Sequence, residues 1–224
     1  MLIVAIETST VAVSVALADA DGLVARFDAP RSRRHAETVI PALGALLDLA
    51  GHTRADITHL AVDVGPGMFT GLRVGVTTAI TLAFALDVSV IPVGSLELLA
   101  WRAAFDGAVI GPLAAVLDAR RKECFVELFD IELGLATSQG EPRALAPAEA
   151  ARVAIAGGCV ALVGDGPSAY PEAFVGLRVL APFRPDAATA ALVALGRLDG
   201  AVAPDAVALR YVREPDAEIP KDLR

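Results

Sequence analysis

The residue types most able to do chemistry lie in one stretch, Val62-Asp63-Val64-Gly65-Pro66-Gly67-Met68-Phe69-Thr70-Gly71-Leu72-Arg73-Val74-Gly75-Val76. Leu60 to Val64 reads as an apolar strand, Gly65-Pro66-Gly67 as a tight turn, and Thr70 to Leu86 as a helix with Thr70 as its N-cap. Gly65 and Gly67 permit positive φ, and Pro66 fixes its own. A strand that enters a helix through glycines aims free backbone amides at an anion, so phosphate binding is the chemistry this spacing could do. Many α/β proteins make the same turn and bind nothing there. The stretch is not a Walker A loop, because no Gly-Lys-Ser/Thr follows. It is not a dinucleotide fingerprint either, because the third glycine comes one residue late, at Gly71, and Pro66 has no N–H.

The helix that leaves the turn carries two faces. Leu72, Val76, Ile80 and Phe84 form an apolar stripe at i, i+4 spacing. Gly71, Gly75, Thr78, Ala79 and Leu82 form a second face of mostly small residues. A glycine inside a helix costs about 1 kcal/mol against alanine, so two on one face imply that another backbone comes close. That backbone is either the chain's own sheet or a helix of a partner. No charge occurs from Val74 to Leu86, and this surplus non-polar surface favours a partner interface at Gly71, Gly75, Thr78, Ala79 and Leu82.

Other reactive residues are scattered. His35, His52 and His59 make no i, i+4 pair, and Cys124 and Cys159 lack metal or redox spacing. There is no Gly-x-Ser-x-Gly elbow. Arg31-Ser32-Arg33-Arg34-His35 reads as a solvated helix entrance. Gly164-Asp165-Gly166-Pro167 is the one candidate for a nucleotide loop in the second half, and it is a short turn.

These residues need elements to hold them. Leu2 to Ile6, Val11 to Leu17 and Leu23 to Phe27 read as a three-stranded meander turned at Asp21-Gly22. A helix with Pro41 inside it runs to Ala50 and stops at Gly51. The strand at Leu60 and its helix follow, then a strand over Val88 to Val93 and a helix from Ser95 to Ala103. A second unit begins at Asp106-Gly107, with strands over Val109 to Asp118 and Cys124 to Ile131 around Asp118-Ala119-Arg120-Arg121-Lys122, and later a helix over Ala187 to Leu198. The 224 residues are 55% hydrophobic but only 5% aromatic, with a net charge of -8. An acidic chain is a poor stand-alone nucleic-acid binder. Met1 to Ile6 is too short for a signal peptide, and no apolar run of 18 residues is expected, which points to the cytoplasm and away from a membrane.

Three strands, helix, strand, helix, strand is the pattern of the ribonuclease-H-like half of the actin, sugar-kinase and Hsp70 superfamily. The expected fold is therefore α/β with two such lobes, the second trimmed. Residues 1–105, joined by 200–224, would form the first lobe and 106–199 the second. This superfamily keeps phosphate and metal carboxylates at strand ends, which makes Glu7, Thr8 and Ser9 with Asp63, Gly65 and Gly67 a vestigial phosphate site.

The chain also resembles a more specific family. Ile6-Glu7-Thr8-Ser9, Gly65-Pro66-Gly67-Met68-Phe69-Thr70-Gly71-Leu72-Arg73-Val74-Gly75, Leu117-Asp118-Ala119-Arg120 and Leu209-Arg210-Tyr211-Val212-Arg213 are together similar to the TsaB family of bacterial tRNA threonylcarbamoyladenosine biosynthesis. The resemblance implies a non-catalytic scaffold that dimerises with a TsaD-like catalytic subunit and works with a TsaE-like ATPase. The complex would transfer threonylcarbamoyl to adenosine 37 of tRNAs reading codons that begin with A. It also implies a homodimer when alone, contact with tRNA only through the complex, and no cofactor. TsaD-like chains carry a His-x-x-x-His metal motif after the next strand. Here that place reads Val93-Gly94-Ser95-Leu96-Glu97-Leu98-Leu99, and Ser95 and Leu99 cannot replace the two histidines. No metal and no catalytic residue are expected. The alternatives are a small ATPase or kinase of the same superfamily and, from the wider family's glycoprotease label, a peptidase.

Overall fold

The computed structural model describes residues 1–32, 34–180 and 183–213. The chain opens with β1 (Leu2–Glu7), β2 (Val13–Asp19) and β3 (Gly22–Ala29), an antiparallel meander. All of β1 is buried, as its unbroken apolar run requires of a central strand covered on both faces. α1 (His35–Ala50), β4 (His59–Asp63), α2 (Phe69–Leu86) and β5 (Ser89–Val93) follow. β4 lies parallel to β1, and β5 parallel to β4, giving the order β3-β2-β1-β4-β5. Val4, Ile6, Leu46, Val62, Val76 and Ala79 share the core between this sheet and the α1–α2 pair.

Next comes α3 (Ser95–Phe105), which leads to β6 (Gly111–Arg120), β7 (Glu123–Glu132), β8 (Leu135–Ser138) and β9 (Arg143–Leu145). α4 (Pro147–Ala156), β10 (Ala161–Val163), the single turn α5 (Gly166–Ala169) and α6 (Ala187–Leu195) complete the list. The second sheet has the order β10-β6-β7-β8, with β9 also on β7. Its antiparallel β6–β7 pair and parallel β6–β10 pair repeat the start of the first sheet, but around the long β6 and β7 the other strands shrink to three or four residues. The chain thus has two lobes of the actin and sugar-kinase type, the second trimmed.

Two helices pack differently from their place in the chain. A first lobe over residues 1–105 would hold α3, yet Leu96, Leu99, Ala100 and Ala103 bury against the second sheet with Leu113, Leu117 and Phe129. Its Leu98 remains in the first core. α6 follows the second sheet and falls within residues 106–199, but it covers the first sheet: Ala187, Ala190, Ala191 and Ala194 pack on Ile3, Ala5, Ala61 and Ile91. The reason is that a sheet buried on both faces needs a second layer, and α1 and α2 cover only one face. After α6 the chain stays with the first lobe. Val202 exchanges backbone hydrogen bonds of 2.8 and 2.9 Å with Val90, and the Arg210 amide donates to the Val64 carbonyl at 2.8 Å. Residues 214–224 of the expected 200–224 segment lie outside the described residues.

α2 begins at Phe69 with Met68 at the N-cap and no side-chain cap, so Thr70 lies inside the first turn. Among the described residues it is the one helix long and apolar enough to cross a membrane by length and composition, contrary to the expectation of no such run. Of its expected apolar stripe, Leu72 and Val76 are buried and Ile80 packs half-buried on the first core, but Phe84 is exposed; Ala79 and Ala83 fill the core in its place. Val179 adds an isolated parallel bridge to Leu162 of β10.

Candidate functional site

β1 and β4 pair in parallel with Ile6 beside Val62, so their next residues, Glu7 and Asp63, stand side by side at the carboxyl ends of adjacent strands. Both are buried. Glu7 Oε1 accepts from the Ser9 amide and the Ser9 hydroxyl, each at 2.6 Å. Asp63 Oδ1 accepts from the Gly65 amide at 2.8 Å and the Ser95 hydroxyl at 2.7 Å. The other two oxygens, Glu7 Oε2 and Asp63 Oδ2, are buried without a partner. Burial pushes both carboxyls up: Asp63 to about 6, and Glu7 well above the usual carboxylate range, with the Asp63 charge adding to burial.

The glycine turn closes over this pair. Gly65 has φ +105°, and its peptide to Pro66 is cis. The Met68 amide donates to the Ser9 carbonyl at 2.7 Å and the Ser95 amide to the Gly65 carbonyl at 3.0 Å. The turn's amides at 65 and 68 are therefore already used inside the chain, and Glu7, Ser9, Asp63, Gly65 and Gly67 form a sealed knot instead of an open phosphate cradle. A Cβ on Gly67 would lie 2.5 Å from the Ser9 carbonyl oxygen.

The same close packing corrects the expected interface. A Cβ on Gly71 would overlap the Thr8 carbonyl oxygen, and one on Gly75 would overlap the Thr8 hydroxyl. Thr8 Oγ1 donates to the Gly71 carbonyl at 2.8 Å. Gly71, Gly75 and Ala79 are buried on the chain's own β1 and the loop after it, while Thr78 and Leu82 are half-buried. The backbone that comes close is this chain's own.

The second lobe repeats the device. The Asp118 amide at the end of β6 donates to Asp165 Oδ1 at 2.9 Å. Added Cβ atoms on Gly164 and Gly166 would strike Val116. The Gly164-Asp165-Gly166-Pro167 turn is thus spent on packing against β6. Ser95 and Leu99 are both buried, Ser95 tied to Asp63 and Leu99 in the second core. His35 Nε2 lies 3.0 Å from the Thr10 carbonyl, His59 Nδ1 3.1 Å from the Thr58 hydroxyl, and His52 faces Asp56 at 3.9 Å. Among the described residues no group of three or more His, Cys, Asp or Glu side chains is placed to hold a metal ion. Cys124 is buried, and burial with the nearby Asp118 and Asp165 pushes its thiol up to about 12, so it stays a packed, unreactive thiol.

The family model described as TsaD, tRNA N6-adenosine threonylcarbamoyltransferase, matches residues 29–159, more than half of the chain. The chain belongs to this family. A Bacillus subtilis relative named tRNA threonylcarbamoyladenosine biosynthesis protein TsaB is 35% identical over 135 residues, 60% of this chain and 58% of that protein. A Pseudomonas aeruginosa crystal structure, of a protein described as similar to peptidase YeaZ, superimposes with a TM-score of 0.83 at 29% identity. It covers 95% of this chain and 99% of that one. The ethanolamine utilization protein EutJ from Carboxydothermus hydrogenoformans shares the fold at a TM-score of 0.51 and 14% identity, over 87% of this chain and 89% of that one. The matched regions span about half the length of the curated relatives. Within the family the chain is of the TsaB type, as the four motifs suggest.

Two surfaces stand out on this family member. On the α1–α2 pair, Ile40 and Leu49 of α1 and Phe84 of α2 are exposed, as are Thr77 and Thr81. The other is a cleft of about 400 Å³ between the lobes, lined by Pro66, Phe69, Asp118, Arg120, Arg210 and Tyr211 among others. Sequence reasoning missed it as a site. Leu209-Arg210-Tyr211-Val212-Arg213 entered only as a family motif, and the basic turn at 120–122 only as a strand connection; nothing in their spacing reports that they meet.

Proposed function

We propose that this chain is a non-catalytic partner subunit in tRNA threonylcarbamoyladenosine biosynthesis. Cytoplasmic, it joins a TsaD-like catalytic subunit through the outward face of α1 and α2, with a TsaE-like ATPase as further partner, and pairs with itself when alone. The complex, not the chain, holds tRNA and transfers threonylcarbamoyl to adenosine 37. The observation that carries the reading is the place after β5. Ser95, where a TsaD-like chain has its first metal histidine, spends its hydroxyl on Asp63, and Leu99, at the second, is packed in the second core. Neither offers a ligand atom to a metal. The family match and the TsaB-named relatives supply the pathway.

The interface reading rests on exposed apolar side chains along two neighbouring helices, a surface suited to a second helix pair. Phe84 is 61% exposed, so replacing it leaves the core intact. Phe84→Asp is expected to weaken association with the TsaD-like subunit at least about tenfold, because buried aromatic anchors dominate such contacts. Sedimentation of Phe84→Asp and the wild type with and without that subunit reads the change, and undiminished binding would move the interface elsewhere. The function itself is tested by reconstitution. tRNA, threonine, bicarbonate, ATP and the pathway's first enzyme should yield no modified nucleoside with this chain alone, and should yield it once the TsaD-like and TsaE-like proteins are added. Product from this chain without the TsaD-like subunit would overturn the non-catalytic reading, and ATP turnover by the chain alone would favour a small kinase.

A further inference from the structure

We propose that the free edge of β3 is a self-pairing surface. Two copies of the chain join antiparallel along residues 25–29, about a two-fold axis through Phe27, so that their five-stranded first sheets continue into one another. The inference deepens the self-pairing proposed above by giving it a surface apart from the exposed side chains of α1 and α2. It needs no TsaD-like partner.

A sheet edge presents unpaired N–H and C=O groups, and proteins cover, shorten or charge it to keep other strands away. The β5 edge is covered by Val202, which bridges to Val90. The β10 edge is covered in the same way: the Leu162 amide donates to the Arg178 carbonyl and the Leu180 amide to the Leu162 carbonyl, both at 2.8 Å. β8, at the far side of the second sheet, is only four residues long. β3 differs from all three. It has eight residues, ends the order of the first sheet, and contains neither proline nor lysine. Among the described residues no strand or bridge lies along its outer side. Leu23 and Val24 at its start are exposed.

The charges on β3 decide what fits there. Arg26 pairs with Ala16 and Asp28 with Ser14 of β2, which puts both on the side of the sheet that α6 covers. Ala16 packs with α6, and the Ser14 hydroxyl accepts from the Ala187 amide at 2.7 Å. Phe27, Ala25 and Ala29 face the other way and pack half-buried on the first core. Arg26 Nε lies 3.2 Å from Asp28 Oδ2, with side chains 53% and 43% exposed, so the pair is weak and both groups keep room for a second partner. Edge charges of one sign repel another copy of the same strand. These two are opposite in sign and stand symmetrically about Phe27. A two-fold axis through Phe27 sets Arg26 opposite Asp28 of the second copy, and Asp28 opposite its Arg26. Opposite charges in directly facing positions stabilise a strand pair, and so do facing aromatics, which this axis makes of the two Phe27 rings.

The same register suits the backbone. Along an edge strand, residues whose backbone groups point outward alternate with residues whose groups point inward. A two-fold axis through Phe27 matches 26 with 28, 25 with 29 and 27 with itself. Matched residues are always an even number apart, so outward-pointing groups on one copy meet outward-pointing groups on the other. An axis through Arg26 or Asp28 would instead set that charge against itself. The pairing stops at Pro30, which has no N–H to give. Because both copies use the same strand, the contact closes at two copies and does not grow into a fibre.

The test is sedimentation of the full chain from about 1 μM to about 1 mM, the span of weak to moderate affinities, with amide hydrogen exchange on the same samples. A dimer is expected, weakened by salt, with exchange over residues 24–28 slowing as concentration rises. Arg26→Asp sets acid against acid twice in each pair, and Asp28→Arg sets base against base. Each should weaken pairing at least about fourfold. The double variant Arg26→Asp/Asp28→Arg restores both opposite pairs and should dimerise as the wild type does, a rescue that a merely damaged strand would not show. A chain that stays monomeric, or a double variant no better than the single ones, overturns the proposal. So does a dimer that Phe84→Asp breaks and the β3 variants leave intact, since its contact is then on α1 and α2. Exchange over residues 24–28 that slows only on adding the TsaD-like or TsaE-like protein gives the edge to a strand of that protein and overturns self-pairing. None of these results alters the reconstitution that tests the subunit reading.

Discussion

Gly71→Ala is expected to destabilise the chain by about 3 kcal/mol, a large effect for a single methyl. The new Cβ would overlap the Thr8 carbonyl oxygen, and a backbone atom of a buried strand end cannot swing aside as a side chain can. β1 and α2 must part, at the about 1–3 kcal/mol, occasionally more, that overpacking costs. Parting also stretches the Thr8 hydroxyl bond to the Gly71 carbonyl, worth roughly 1 kcal/mol. The gain in helix propensity returns at most about 1 kcal/mol. For a chain of this size the net loss lowers the melting temperature by roughly 6–12 °C. Gly44→Ala in α1 is the matched control: a Cβ there meets nothing within 4 Å, so propensity alone should raise stability by up to about 1 kcal/mol. Thermal unfolding of the two variants beside the wild type reads both signs. A Gly71→Ala chain that melts with the wild type but no longer associates would restore the glycine face to a partner.

That contrast shows how far the residues alone could be read. Two glycines on one face of α2 correctly signalled a close backbone. They could not say whose, because a helix that packs on its own strand end and one that packs on a partner carry the same small residues. What decides it is the Glu7-Thr8-Ser9 loop, which lies more than 60 positions away in sequence and returns over the helix through Thr8. The meander, the parallel strands β4 and β5 and the β6–β7 pair were legible because each strand shows its own apolar run between turn residues; β8, Leu-Ala-Thr-Ser with only Ala136 buried, was not. The partners of α3 and α6 were not. Alanine-rich α6 carries no face that distinguishes one sheet from the other, and its place is set by the uncovered side of β1 and β4. α3 puts Leu98 on one core and Leu96, Leu99, Ala100 and Ala103 on the other, so it belongs to both lobes. Of the site, the carboxylates and the glycine turn were visible as residue types. That Ser9, Gly65 and Ser95 consume their acceptors depends on side-chain directions that spacing does not encode. The cleft lined by Phe69, Arg120 and Tyr211 joins three segments distant in sequence, and only the fold brings them together.

Glu7→Gln is expected to make the chain more stable at neutral and alkaline pH and to flatten the dependence of its stability on pH. Glu7 and Asp63 stand at adjacent strand ends, buried, each with one oxygen satisfied and one without a partner. Two charged carboxylates there would repel in a medium that solvates neither. A proton held by the pair leaves one acid and one carboxylate, so the folded chain keeps a proton that the unfolded chain releases. The sign follows from that difference. Asp63 titrates near 3.8 when unfolded and about 6 when folded, and Glu7 is raised from 4.5 for the same reasons. Above these unfolded values the folded state binds more protons, so stability falls as pH rises, through pH 6 and beyond it as far as Glu7 titrates. The Asp63 shift of about two pKa units, caused first by burial, corresponds to roughly 3 kcal/mol, and Glu7 is shifted in the same direction by burial and the Asp63 charge. Glutamine removes one of the two charges, keeps an oxygen for the Ser9 amide and hydroxyl, and offers an N–H where the acid would have offered its proton. At pH 5 the variant and the wild type should melt within a few degrees of each other. At pH 8 the variant should melt higher, by about 2–4 °C for each kcal/mol that removing the Glu7 charge relieves in a chain of this length. Melting curves of both proteins from pH 5 to pH 8 decide it. Parallel pH profiles, or a variant less stable than the wild type at pH 8, would mean that the buried pair is held ionised by contacts other than a shared proton.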